Sequence, residues 1–123
     1  MKIPSISEAE WEVMTVIWSQ NPITAGEVVD ILAPKKKWNP RTVKTLLNRL
    51  VKKGALAYAV DGKKYLYRPK VRQDQCVTHE SRSFLGRVFA GDAAAMLVRF
   101  VDEIELSPEE INQLKRAIDK NGR

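Results

Sequence analysis

Along the first half of the chain, apolar positions recur at three- and four-residue steps, punctuated by caps and breakers. Trp11, Met14, Ile17 and Trp18, with Val13 beside them, form the first stripe. That spacing predicts a helix burying one face. Before it, Ser7-Glu8-Ala9-Glu10 has the form of a capping box, in which Ser and Glu satisfy each other's free amides. Asn21-Pro22 stops this helix. Thr24-Ala25-Gly26-Glu27 repeats the box, and Val28, Ile31 and Leu32 give the next helix its apolar side. Pro34 is expected to end it, leaving residues 35–38 as a connector. Asn39-Pro40 predicts a third start, with Asn as cap and Pro where no amide partner is needed. Val43, Leu46, Leu47, Leu50 and Val51 form its stripe, and Gly54 its stop.

Two short runs follow, residues 55–60 and 63–68, in which Tyr58, Tyr65 and Tyr67 suit strands. Asp61-Gly62 between them is a hairpin signal. Helical spacing then returns. Residues 74–90 carry Val77, Phe84, Leu85, Val88 and Phe89 on one side, and Gly91 breaks the run. Asp92 caps a helix with Ala93, Met96, Leu97, Phe100, Val101 and Ile104. Ser107-Pro108-Glu109-Glu110 opens the last, whose stripe is Ile111, Leu114 and Ile118.

Three helices and a hairpin within about seventy residues match a winged helix-turn-helix. The expected fold is therefore mainly α with a small β-hairpin wing: a winged helix-turn-helix DNA-binding domain over residues 1–72, then a three-helix dimerisation domain over 73–123. Three short amphipathic helices make a thin core by themselves. Pairing with a second copy is the expected remedy, with Phe84, Val88, Met96, Leu97, Phe100, Ile104, Leu114 and Ile118 as the shared core.

Charge sharpens this picture. The chain of 123 residues carries a net charge of +6, distributed unevenly. Residues 1–34 sum to −4, residues 35–72 to +12 and residues 73–123 to −2. A positive excess gathered into one third makes a directional field suited to a polyanion. The plainer reading of such a run is a solvated basic face. On the third helix, the side opposite the stripe carries Arg41, Thr42, Lys44, Thr45, Asn48, Arg49 and Lys52. Arg forks onto guanine, Asn onto adenine, and Thr meets a thymine methyl. Arg41, Thr42 and Thr45, near the start of the helix, are the expected base readers, with Lys44 and Asn48 next. Arg49, Lys52 and Lys53 are expected on phosphates. Lys63 and Lys64 at the wing tip are placed against the backbone or minor groove, and residues 35–37 against phosphate; each also reads as ordinary solvated surface.

Other chemistry is sparse. Trp11 and Trp18 lie on an apolar stripe, so core packing outweighs base stacking for them; Trp38 reads as a hydrophobic staple before the third helix. Cys76 and His79 are three apart but lack a second pair for a metal, so no metal and no cofactor is expected. No constellation for an enzyme is present. The single cysteine, the absence of an apolar run long enough for a membrane helix, and an N-terminus unlike a signal peptide favour a soluble cytoplasmic protein.

The residues also carry a resemblance. Ser-Glu-Ala-Glu-Trp-Glu-Val-Met-Thr-Val-Ile-Trp at 7–18 resembles the opening of the BlaI/MecI penicillinase repressors. So does Trp-Asn-Pro-Arg-Thr-Val-Lys-Thr-Leu-Leu-Asn-Arg-Leu-Val-Lys-Lys-Gly at 38–54. The likeness continues through Ser83-Phe84-Leu85, Phe100-Val101 and Leu106-Ser107-Pro108-Glu109-Glu110-Ile111. It implies a homodimer on a palindromic DNA operator, repressing β-lactam resistance genes. It also implies release when a membrane β-lactam sensor leads to cleavage in the dimerisation domain. The matching bond here is Arg99-Phe100, where those repressors have Asn-Phe. The related CopY repressors end in paired Cys-x-Cys motifs; this chain has none, so copper sensing of that kind is not expected. Two alternatives stay open: a winged helix that binds an acidic protein, and a repressor of the same fold answering to a different signal.

Overall fold

The computed structural model describes residues 2–122; Met1 and Arg123 lie outside the described residues. Its elements run α1 (Glu8–Ser19), β1 (Ile23–Thr24), α2 (Ala25–Lys36), α3 (Pro40–Lys53), β2 (Leu56–Asp61), β3 (Lys64–Pro69), α4 (Gln73–Phe89), α5 (Ala93–Glu103) and α6 (Pro108–Asn121). The fold is mainly helical with a small antiparallel sheet, in which β3 lies between β1 and β2. The chain divides into two compact units, Met1–Ser81 and Arg82–Arg123, with the division falling inside α4.

Local chemistry sets the helix ends. Ser7 and Thr24 each accept a bond from the third amide of their helix, while Glu10 and Glu27 accept from the cap amides at 2.8 and 3.0 Å. Asn39 accepts from the Arg41 amide at 2.8 Å, with Pro40 at the first helical position. At the other end of α3, Gly54 is left-handed (φ 85°) and donates to the Leu50 and Val51 carbonyls. The Ala55 amide donates to Leu50 as well, at 2.9 Å, which completes a Schellman closure.

The core of the first unit joins Val13, Met14 and Ile17 of α1 to Val28 and Leu32 of α2 and to Val43, Leu46, Leu47 and Leu50 of α3. Ile23, Leu56 and Tyr67 bring in the sheet, Val71 the segment leading into α4, and Cys76 the first turn of α4 itself. Trp11, Trp18 and Trp38 are partly buried against this core, as expected of packing residues. Trp11 and Trp18 meet edge to face at 5.3 Å, and the Trp18 indole N–H donates to the Val71 carbonyl at 3.0 Å.

Two local expectations are corrected and one element is added. Pro34 does not end α2, which runs on to Lys36 and a left-handed cap at Lys37 (φ 57°). A proline removes one amide donor, and in the last turn the helix can close around that loss. The Lys37 and Trp38 amides both reach back to the Ala33 carbonyl. The hairpin turn is Gly62-Lys63 instead of Asp61-Gly62, because Asp61 pairs with Lys64 in the ladder. Gly62 takes the positive φ (63°) that a primed turn needs at its first position. Finally, β1 was not foreseen: two residues, Ile23 and Thr24, pair with Tyr67 and Leu66. Such a strand is too short to show a period.

In the second unit, Ala90 (φ 50°) and Gly91 (φ 84°) turn the chain out of α4, and Asp92 caps α5 through the Ala95 amide at 3.0 Å. Ser107 and Glu110 form a third capping box. Phe84, Phe89 and Phe100 cluster with ring centroids about 6 Å apart, at 5.9, 6.1 and 6.3 Å.

Candidate nucleic-acid interface

The α3 sequence alternates core and solvent at helical spacing, so burial of one face dictates what the other presents. Val43, Leu46, Leu47 and Leu50 are buried; Arg41, Thr42, Lys44, Thr45, Asn48, Arg49 and Lys52 are all exposed. The Thr45 hydroxyl donates to the Arg41 carbonyl at 3.0 Å. That bond holds the hydroxyl against the helix. The first turn of α3 carries no acid, so nothing on that turn opposes an anion at the positive end of the helix dipole.

Lys44 of α3 meets Lys63 and Lys64 of the hairpin along one groove of about 610 Å³. Thr24, Ala25 and Gly26 at the start of α2, with Glu27, Asp30 and Tyr65, complete its walls. The fold thus brings the wing lysines to the same concavity as Lys44, about twenty residues away in sequence; Arg41, Thr42, Thr45, Asn48, Arg49 and Lys52 do not line it. Glu27 is held below the usual carboxylate range, first by the Thr24 amide and hydroxyl. It therefore stays ionised beside Lys64 and tempers the charge of the groove.

Two features of this region were not legible. Lys53 was grouped with the phosphate-holding cations. Instead its ammonium donates to the Glu10 carboxylate at 2.5 Å and to the Ser5 carbonyl at 3.1 Å. Glu10 is buried and Lys53 helps to keep its carboxyl below the usual range, but its contact with a lysine 43 residues away leaves no sequence signal. The wing aromatics were also missed as a group. Tyr58 and Tyr65 stack at 4.7 Å and remain half exposed, whereas Tyr67 is buried. Of the connector lysines, Lys36 lies 3.9 Å from Glu12 and over the Trp38 ring; Lys35 and Lys37 are exposed.

No constellation for metal binding appears among the described residues. Cys76 is buried, and burial pushes its thiol pKa up, reinforced by Glu80 and Asp74. A thiol so placed is a poor nucleophile. None of the described helices is long and apolar enough to cross a membrane.

The candidate pairing residues lie on an open surface of the second unit. Val88 (54% exposed), Leu97 (44%), Phe100 (40%), Ile104 (54%) and Ile118 (55%) are exposed apolar side chains. Phe84, Met96 and Leu114 are half-buried. No residue of α5 or α6 is buried. Arg99 lies in α5 with its side chain in solvent, 3.9 Å from Glu103.

Comparison with known proteins places this geometry. The penicillinase repressor family profile matches residues 6–120. The penicillinase repressor of Bacillus licheniformis is 39% identical over 98% of this chain and 94% of its own length. The methicillin resistance regulatory protein MecI of Staphylococcus aureus is 33% identical over 97% of each chain. Among solved structures, the monomeric form of Bacillus licheniformis BlaI in complex with the blaP half-operator superposes with a TM-score of 0.53 and 44% identity. It covers 59% of this chain and 89% of that one.

Proposed function

From the premise that the chain belongs to the penicillinase repressor family, we propose that it is a homodimeric transcriptional repressor of β-lactam resistance genes, reading a palindromic operator through α3. The observation that carries this reading is the α3 face itself. Arg41, Thr42, Thr45 and Asn48 stand exposed beside Lys44, Arg49 and Lys52, with every apolar residue of the stripe turned inward or half-buried. A surface for charge pairing needs only the cations; base readout needs the threonines and asparagine as well. The B. licheniformis relative solved on a half-operator shares this region at 44% identity.

Two copies related by a two-fold axis fit a palindromic site, one recognition helix to each half. The open apolar surface of the second unit supports that pairing, since an isolated chain would leave Ile104 and Ile118 more than half in water. Proteolysis in this unit, after a signal from a membrane β-lactam sensor, is the proposed release step, and the Arg99-Phe100 bond of α5 its candidate site. The cytoplasm is the proposed compartment, and residues 1–72 and 73–123 the proposed functional division.

The test is a titration of purified protein onto an inverted-repeat operator and a scrambled duplex across a salt series. Affinity for the operator is expected to exceed that for the scrambled duplex and to fall steeply with salt. Arg41→Ala is expected to cost about 1–3 kcal/mol and to relax one base position, whereas Lys52→Ala should weaken both duplexes alike. Equal affinity for the two duplexes would overturn the reading.

A further inference from the structure

The first unit has a second concavity whose chemistry is opposite to that of the basic groove. A cavity of about 390 Å³ opens between the start of α1 and the first half of α4. It is lined by the apolar Ile6, Trp11 and Val77 together with the acidic Glu8, Glu12 and Glu80. Its size lies at the small end of the roughly 300–1,000 Å³ found for small-molecule sites.

The indole is braced before any ligand arrives. Trp18 meets Trp11 edge-on at 5.3 Å, and Trp18 is itself held by its bond to the Val71 carbonyl. Val77 is 46% exposed although it lines this cavity. The carboxylates are largely unspent. Glu12 has Lys36 at 3.9 Å, but among the described residues no cation lies within ion-pair distance of Glu8 or Glu80. A molecule of net charge +6 has here gathered three negative groups around an aromatic face.

We infer that this cavity binds a compact organic cation with an apolar body, of the arylammonium or quaternary ammonium class. The apolar body would displace water from Ile6 and Val77. The positive centre would lie against the Trp11 ring in the field of the surrounding carboxylates, without contacting all three at once, and an indole is the strongest of the aromatic partners for a cation. Anions are repelled by the same carboxylates. A bare metal ion is not the fitting ligand, because no three carboxylate, thiol or imidazole groups converge among the described residues.

Benzyltrimethylammonium is a suitable probe, with benzyl alcohol and benzoate as neutral and anionic comparators. The 123-residue chain has three tryptophans, so its indole N–H signals can be followed by NMR and that of Trp11 assigned with Trp11→Phe. The Trp11 signal is expected to shift saturably with the cation, and much less with either comparator at equal ionic strength. Glu8→Gln/Glu80→Gln alters one exposed and one half-buried side chain, neither of them part of the core cluster. It should weaken the cation roughly fivefold, the equivalent of about 1 kcal/mol of lost attraction, while the Trp18 and Trp38 signals keep their positions. Equal binding of the alcohol, an unchanged affinity in the double variant, or no saturable shift because a second copy covers the cavity would each overturn the inference.

Discussion

Glu10 exposes 1% of its surface, yet it closes the N-terminus of α1 and receives the ammonium of Lys53 from the far end of α3. Burial is the largest influence on its carboxyl and raises the pKa. The bonds from Lys53 and Ser7 together outweigh burial and leave the pKa below the ordinary 4.5. A carboxylate depressed on folding contributes stability above its unfolded pKa and loses it as pH falls through the folded value. Acidification below 4.5 is therefore expected to weaken the first unit through this residue. Lys53→Met removes the partner and leaves a buried carboxylate with Ser7 alone. We expect a loss of about 1–3 kcal/mol at neutral pH, moderated because Lys53 is itself partly solvated. Without its lysine, Glu10 is protonated more readily, so the gap between variant and parent should narrow on acidification. Urea midpoints measured from neutral pH downward check both the size and the sign; a gap that widens at low pH would refute the assignment. Cys76 offers an independent check on packing. Its thiol is buried and raised above the ordinary range chiefly by that burial. An alkylating reagent at neutral pH should label it slowly in the folded protein and readily in urea.

Among the elements, α3 is the one whose ends matter most to the proposed function, because on that proposal its register decides which side chains reach a duplex. Gly54 stops it in a left-handed conformation with open space where a Cβ would lie. Any cost of Gly54→Ala is then conformational and not steric, about 1 kcal/mol or somewhat more. Thermal unfolding should show this loss, and operator affinity of the still-folded fraction should change little. The caps of α1, α2, α3, α5 and α6 were legible in sequence because each joins residues two or three apart. The exposed face of α3 was legible because burial of a regular stripe fixes its complement. What escaped was either too short or too distant. Ile23 and Thr24 become a strand only when Tyr67 and Leu66 arrive from more than forty residues away. Lys53 looks like any other cation on a basic helix until Glu10 is placed beneath it. The hairpin signal was right in kind and wrong by one residue, because Asp61 has a ladder partner in Lys64. Pro34 lies in the last turn of α2, where the loss of one amide donor does not keep the helix from reaching Lys36.

At the scale of the whole molecule, the two units answer to different sources of stability. The first has a continuous core from Ile6 to Cys76. The second has none fully shielded from water, since α5 and α6 bury no residue. If a second copy supplies the missing cover, the apolar surface of Val88, Leu97, Phe100, Ile104 and Ile118 is where it must come from. A cut after Arg99 would divide α5 within its last turns and remove Phe100, Ile104 and the whole of α6. The aromatic cluster would lose one of its three rings. The first unit, whose core contains no residue beyond Cys76, should survive intact. A chain ending at Arg99 is thus expected to sediment as a monomer and to keep the thermal transition of its first unit. It should still bind a single half-site, because α3 and the wing are untouched. Its affinity for the full inverted repeat should fall by about 10²–10⁴, the avidity that linking two modest sites confers. Sedimentation of the two chains, paired with titrations on half and full operators, separates loss of pairing from loss of recognition. If the truncated chain still dimerises and holds the full operator as tightly as the parent does, the second unit is not what joins the copies, and cleavage at Arg99 cannot be the release step.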